Sequence, residues 1–290
     1  MQQNRTDFAL ITPSAAIATP THGGRAKCLQ RLVRLDLPVP VTVALSFQSV
    51  KSIAAGQMPD IDHILAEFEP SDLLCVRPSS ESADWGGPGA ILNIGMNDAR
   101  FHDLSQVLGR EAAADLYLRF IQSYSVNVAR LDPDIFEDID GRAETALQLA
   151  LRAYADETDE DFPQDVATQL AEVLRSMSRA WDGTTARLLR QAKGAPADAG
   201  LGLVVQKMVF GLGQGECGSG VLQLVNSETG FPQITGRYRR QSQGREALQG
   251  GSDALYLTQD DRGPSLQGDA PNIYDTLVKH AQLMRKKLRE

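Results

Sequence analysis

Gly23-Gly-Arg-Ala-Lys-Cys-Leu29, answered a few residues later by Asp36-Leu-Pro-Val-Pro40, is the stretch on which the reading of this chain turns. Two glycines make a turn, and Cys28, Leu29, Leu32, Val33 and Leu35 then recur at helical spacing. The helix has to stop at Pro38 and Pro40, because proline lacks an amide donor and its ring crowds the residue before it. Outward from there, residues 42–47 read as a strand, 61–68 as a short amphipathic helix and 73–77 as a buried strand. Three glycines and a proline make Asp84-Trp-Gly-Gly-Pro-Gly89 a loop.

Further along, the spacing of Leu104, Leu108, Ala112, Leu116, Phe120, Ile121 and Tyr124 predicts one long helix over 104–128. Val166, Leu170, Val173, Leu174, Met177 and Trp181 predict another over 165–181. Gly194-Ala-Pro-Ala-Asp-Ala-Gly200 reads as a connection. Beyond it the pattern changes: residues 203–210 are a Val-rich strand, 211–220 a glycine-dense turn, 221–225 the returning strand and 233–238 a third. Ile273, Leu277, Val278, Ala281, Met284 and Leu288 then mark a final amphipathic helix. The expected class is therefore α+β, with a helix-rich lobe over 1–193 and a hairpin-rich lobe over 194–290. Such a pair often holds a ligand in the cleft between its lobes.

The 290 residues are 42% apolar and 23% charged, enough for a substantial core. Lys plus Arg (29) against Asp plus Glu (37) gives a net charge of −8, which argues against a general nucleic-acid binder or an anionic-membrane surface. No secretory leader and no run of about 18–20 apolar residues is visible, so a soluble, cytoplasmic protein is expected. Cys28, Cys75 and Cys217 are too few for a disulfide framework or a tetrahedral zinc site. His22, His63, His102 and His280 are scattered without metal spacing, and no metal ligands are assigned.

Several features could carry chemistry. Amides at a helix start beside Arg25 and Lys27 suit a phosphate; taken alone, an ordinary glycine turn with two solvated bases explains Gly23 and Gly24 better. Arg77, at a strand end before Pro-Ser-Ser, could clamp phosphate oxygens with its planar fork, though that signal is also weak alone. Gly86 and Gly87 would let a polyphosphate approach the backbone, and a tight ligand-free connection explains them equally well. Gln206-Lys-Met-Val-Phe-Gly211 could border a purine, although most Val-rich strands are simply core. The acidic stretches 132–140 and 157–161 read as solvated faces.

Taken in order, these elements resemble the N-terminal nucleotide-binding domain of the pyruvate phosphate dikinase and phosphoenolpyruvate synthase family. The family's Gly-Gly-Lys-Gly-x-Asn-Leu and Gly-Leu-Pro-Val-Pro correspond to the opening stretch, and its Ser-Val-Arg-Ser to Cys75-Val-Arg-Pro78. Its Pro-Gly-Met-Met-Asp-Thr-x-Leu-Asn-x-Gly loop corresponds to Trp85-Gly-Gly-Pro-Gly-Ala-Ile-Leu-Asn-Ile-Gly95, continuing into Asn97 and Asp98. Tyr-Arg-Arg-Phe-Ile-Gln corresponds to Tyr117-Leu-Arg-Phe-Ile-Gln122. Val-Gln-x-Met-Val-Phe-Gly fits residues 205–211, and Gln-Gly-Glu-Asp fits Gln243-Gly-Arg-Glu246.

The resemblance implies an ATP-grasp type fold with ATP between two lobes, a phosphoryl group passed to a histidine on a swivelling domain, and a barrel that hands it to pyruvate. It makes Arg25 and Arg77 the catalytic cations. Gly23, Gly24, Gly86, Gly87, Gln206, Met208, Val209, Gln243 and Glu246 become cofactor contacts, with ATP and Mg²⁺ as cofactors. Five departures qualify it. Arg25 replaces the family lysine, Leu224-Val-Asn-Ser-Glu-Thr-Gly230 lacks the family arginine, and Arg237 and Arg245 stand where acids are expected. The chain stops at Glu290, before the strands that would bring a metal-binding Glu, a Gln and a phosphate-binding Arg.

Two functions follow as expectations. One is an ATP-binding phosphotransfer module, inactive alone and dependent on phosphohistidine and barrel domains supplied by a separate subunit or by a longer parent protein. The other is a catalytically inactive nucleotide-sensing or regulatory domain, or a vestigial truncated product. A cation is a poor neighbour for a metal, so Arg237 and Arg245 favour loss of Mg-dependent chemistry, while an arginine cluster could instead bind an anion.

Overall fold

A computed structural model describes residues 8–137, 139, 142–226, 228–243 and 254–288. The chain divides into two compact units, Met1–Met208 and Val209–Glu290. Both combine helices with antiparallel sheet, which establishes the α+β class.

The first unit is organised by a five-stranded sheet in the order β1-β2-β5-β3-β4. Its strands are β1 (Phe8–Leu10), β2 (Thr42–Leu45), β3 (Leu74–Ser80), β4 (Ile91–Ile94) and β5 (Leu201–Lys207). Central β5 is buried from Leu201 to Gln206 on both of its faces. Ala44 and Val204 share a core with Ala26 of helix α1 (Thr19–Val33), while Val43, Leu45, Val76, Leu203 and Val205, on the opposite face, are also fully buried. A strand covered on both sides reads as an unbroken apolar run rather than an alternation, which is how Leu-Gly-Leu-Val-Val earns its central place.

That placement overturns the hairpin expected across residues 211–220. β5 pairs with β2 and β3, not with the strand that follows the glycine-dense turn. The strand expected to open the second lobe is thus the third strand of the first unit's sheet. Gly202 shows why the packing is exclusive: a Cβ there would come 2.6 Å from the His22 carbonyl oxygen.

Helices α2 (Phe47–Ala54), α3 (Ile61–Leu65), α4 (Asp98–Leu108), α5 (Arg110–Tyr124), α6 (Ala143–Thr158), α7 (Val166–Asp182) and α8 (Thr184–Ala192) complete the unit. The strand expected over 42–47 ends at Leu45, because Ser46 caps α2 by accepting the Ser49 amide at 3.1 Å. The single helix expected over 104–128 is two. Gly109, at φ +87°, separates α4 from α5, and a π-helical turn follows at Ser125–Ala129. Helix α7 follows the reading closely, and the Asp165 carboxylate caps it by accepting the Thr168 amide at 2.8 Å. Tyr117, Phe120, Tyr124, Tyr154 and Phe162 form an aromatic core, with Phe162 edge-on to Phe120, Tyr124 and Tyr154 at 5.2–5.6 Å.

The second unit holds the sheet β6-β7-β8: β6 (Gly218–Val225), β7 (Pro232–Arg240) and β8 (Ala254–Tyr256). After it come α9 (Leu266–Asp269) and α10 (Pro271–Leu288). Tyr238, Leu255, Leu257 and Leu266 form its core, with Tyr274 and Leu277 of α10 packed against them.

Candidate functional site

The candidate site is built where the second half of β3 meets the start of α1; Arg77, expected at a strand end, is the fourth of the seven residues of β3 and pairs with Val204, because the strand runs on through Pro78 to Ser80. α1 is not continuous: Gly23 takes φ +85° and ψ 169°, so a short turn precedes the kink and the main helix follows it. A Cβ at Gly23 would fall 1.8 Å from the Ser79 carbonyl oxygen, and one at Gly24 would lie 3.1 Å from that of Glu81. Both positions therefore require glycine-like contact with β3, Gly23 also for its backbone angle.

Ser79 splices the kink. Its hydroxyl donates to the His22 carbonyl at 2.6 Å and accepts the Ala26 amide at 3.0 Å. One of the helix-start amides expected to be free for a phosphate is thereby occupied by a side chain of β3. Burial holds the His22 imidazole below its ordinary pKa.

Arg25 follows the kink and donates from Nη1 to the Pro78 carbonyl. Burial first, and then the neighbouring Arg77, pulls the Arg25 guanidinium below its usual range; Cys75 and Cys28 act in the opposite direction. The same neighbours act on Cys75, whose thiol is pushed up by burial and drawn back by Arg77 and Arg25. Arg25, Arg77, Cys28 and Cys75 thus share one neighbourhood. Among the described residues neither arginine is paired with a carboxylate, so two like charges are held together with no acid between them.

The glycine loop joins this neighbourhood. Gly87, at φ +148°, faces Pro78 and the Trp181 ring, with 3.7 and 3.3 Å available to a Cβ. Gly86, at φ +80°, lies beside Lys193, whose Nζ would be 3.4 Å from a Cβ. Trp181 is itself fixed by Arg190, stacked 3.6 Å from its ring centroid. Ser79, Lys193 and Trp181 were not singled out as site residues from the sequence. The Pro-Ser-Ser run after Arg77 was the one visible signal, since Lys193 and Trp181 lie more than a hundred residues from Arg77 along the chain.

The remaining expected contacts have partners of their own, Gln206 beside Cys75 itself. Gln206 is buried in β5 opposite Cys75, and its Nε2 donates to Thr42 Oγ1 at 2.8 Å. Met208 is buried and its sulfur accepts the Asn93 amide at 3.0 Å. Val209 is 68% exposed and belongs to the second unit. Gln243 is also there, where Oε1 accepts the Gly211 amide at 2.9 Å and Nε2 donates to the Val209 carbonyl at 3.2 Å. Glu246 and Arg245 lie outside the described residues. Gly23, Gly24, Arg25, Arg77, Gly86 and Gly87 are therefore gathered around the second half of β3, with Gln206 reaching Cys75 from β5.

No group of three or more His, Cys, Asp or Glu that could hold a metal occurs among the described residues. No described helix is long and apolar enough to cross a membrane.

An α+β chain with a cationic, glycine-lined sheet strand is the class that fold and site define. Within it, the chain is a partial homologue of the pyruvate phosphate dikinases. It is 30% identical to pyruvate, phosphate dikinase of Clostridium symbiosum over 75% of its length, and 26% identical to that of Rhizobium meliloti over 92%. The chloroplastic enzyme of Flaveria trinervia is 24% identical over 91% of the chain. The chain spans only 26–34% of the length of these relatives. No family model matches it.

Proposed function

We propose that this chain is an ATP-binding phosphotransfer module of dikinase type, with an ATP-grasp fold. The observation that carries the reading is the uncompensated pair Arg25–Arg77 beside the loop of Gly86 and Gly87, in a chain homologous to dikinases over three quarters or more of its length. Two adjacent cations without an acid repel one another, and a polyphosphate relieves that repulsion. Arg25, already tied to the Pro78 carbonyl, is oriented rather than free to wander, so less is lost on binding.

In this reading Arg25 and Arg77 neutralise phosphate oxygens, and the backbone around Gly86 and Gly87 permits close approach of the chain of phosphates. Gln206 in β5 and Met208 just after it contribute to purine contact, while Val209, Gln243 and Glu246 keep the contact roles that the resemblance implies. Mg²⁺ enters as an ion carried on the phosphates, the usual mode for a cation that retains its waters; no step is assigned to it. Transfer to a phosphohistidine domain and barrel, on another chain or on a longer parent protein, belongs to the same proposal, as does a cytoplasmic site of action.

A second reading, a nucleotide sensor that binds without transferring, is favoured by Arg237 on β7, where the resemblance expects an acid. Calorimetric titration with ATP, with and without Mg²⁺, tests both. Binding weakened at least tenfold by Arg77→Ala supports a nucleotide site at β3; no heat and no shift in melting temperature overturns it. Binding without AMP formation when dikinase phosphohistidine and barrel domains are supplied selects the sensor.

A further inference from the structure

The second unit carries a cationic cluster that the proposed function does not use. β7 sends Tyr238 into the core with Leu255, Leu257 and Leu266, so alternation puts Arg237 and Arg239 on the other face of the sheet. Arg237 is paired across the ladder with Tyr256, and its guanidinium carbon lies 4.1 Å from the Tyr256 ring centroid. Arg262 stacks on the same ring at 4.9 Å.

The nearby acid does not balance them. Asp260 is engaged by Arg262 through both carboxylate oxygens, at 2.8 Å from Nε and 2.7 Å from Nη2, and the first oxygen also accepts the Arg262 amide at 2.9 Å. Arg262 holds that carboxyl down at about 2. Arg237 Nη1 is buried and has no hydrogen-bond partner among the described residues. An unmet charged donor is costly, and in a folded protein it calls for an explanation such as a missing ion. Arg240, by contrast, is committed: it donates to Glu216 at 2.9 Å and to Asp269 at 3.1 Å.

Stacking uses the face of a guanidinium and leaves its in-plane edge to hydrogen bonding; with Arg262 Nε and Nη2 given to Asp260, Nη1 of Arg262 and Nη1 of Arg237 are the donors that the two guanidiniums on one ring still offer. That arrangement suits a tetrahedral oxyanion better than a planar carboxylate, which one fork satisfies. We infer that Arg237, Arg262 and Tyr256 of the second unit form a binding site for a phosphoryl group. Arg237 supplies the unmet donor, Tyr256 holds both guanidiniums in place, and Asp260 fixes Arg262.

Inorganic pyrophosphate, titrated calorimetrically into the full chain, is the probe. The background is Arg77→Ala, so that the first unit's cations do not contribute. The expected result is binding that survives Arg77→Ala, weakens at least tenfold when Arg237→Gln is added, and falls with rising salt. Without pyrophosphate, Arg237→Gln melts at or above its parent, because a buried unmet donor has been removed. Arg262→Gln, at a 73% exposed side chain, is the second variant and weakens binding several-fold without a folding defect.

Absence of binding in Arg77→Ala, or an unchanged affinity in Arg237→Gln, overturns the site. ATP titrated in parallel separates the two readings. Loss of both ligands in Arg77→Ala alone leaves the nucleotide site standing and removes this one. Loss of pyrophosphate only with Arg237→Gln does the reverse if ATP never bound.

Discussion

The two sheets handle arginine in opposite ways. In the first unit the central strand is covered on both faces, and Arg77 stands half-buried in the middle of β3 while Arg25 is tied to the Pro78 carbonyl. In the second unit one face of a three-stranded sheet makes the core, and the other carries Arg237 and Arg239. A doubly covered sheet admits a cation only where a helix-start turn and a glycine loop leave room beside it, whereas a singly covered sheet can display cations along its open face. The first arrangement concentrates charge beside a glycine loop; the second spreads it over an aromatic ring.

The largest effect that sharpens this contrast is in the cores. Phe120→Ala, at a fully buried ring of the first unit's aromatic cluster, should lower stability by about 3–5 kcal/mol in denaturant unfolding. Phe231→Ala, at a 72% exposed ring in the second unit, should stay within about 0.5 kcal/mol. Comparable losses at both positions would break the distinction between a covered and a displayed aromatic.

Next in size is Gly23→Ala, which has to accommodate both φ +85° and a 1.8 Å approach to Ser79. About 3 kcal/mol of destabilisation is expected, combining backbone strain and overpacking. Gly56→Ala shares the positive φ (+93°) but meets nothing within 4 Å, so it should lose about 1 kcal/mol. Equal shifts in melting temperature would mean that contact with β3 contributes nothing.

Smaller still is Glu216→Gln, which removes the partner of a 43% exposed Arg240. A loss of about 0–1 kcal/mol is expected, diminishing further in high salt. The smallest effect is a pH dependence. Burial holds His22 below its ordinary pKa of 6.5, so the unfolded chain binds its proton more readily than the folded one. Stability contributed in this way is complete above about pH 6.5 and is lost as pH falls through and below that value. His22→Gln should flatten the melting temperature between pH 7 and 5.5; an unchanged slope would locate the dependence elsewhere.

Much of this was legible in one dimension. The Gly23–Gly24 turn, the stop before Pro38, helix α7 and the final helix all follow from local propensity, and the structure keeps them. The long helix over 104–128 was not, since its apolar spacing continues through Gly109 and only the backbone angle there breaks it. The hairpin across 211–220 failed for a different reason. A Val-rich run followed by glycines looks the same whether the strand pairs forward or is already enclosed by β2 and β3. Of the site, Arg25, Arg77 and the glycines were visible as motifs, whereas Lys193 and Trp181 have no local signature.

By itself the sequence determined the α+β class, the kinship with dikinases and the residues around which β3 and α1 meet, because turn chemistry, helical period and motif order are local properties of a chain. Only the tertiary structure decided that β5 is central, that Ser79 occupies an amide of the α1 start, and that Arg237 and Arg262 share one ring while Arg240 is neutralised. Those outcomes depend on which distant groups are brought within a few ångströms, and that is fixed by burial and by the pairing of strands far apart in the chain.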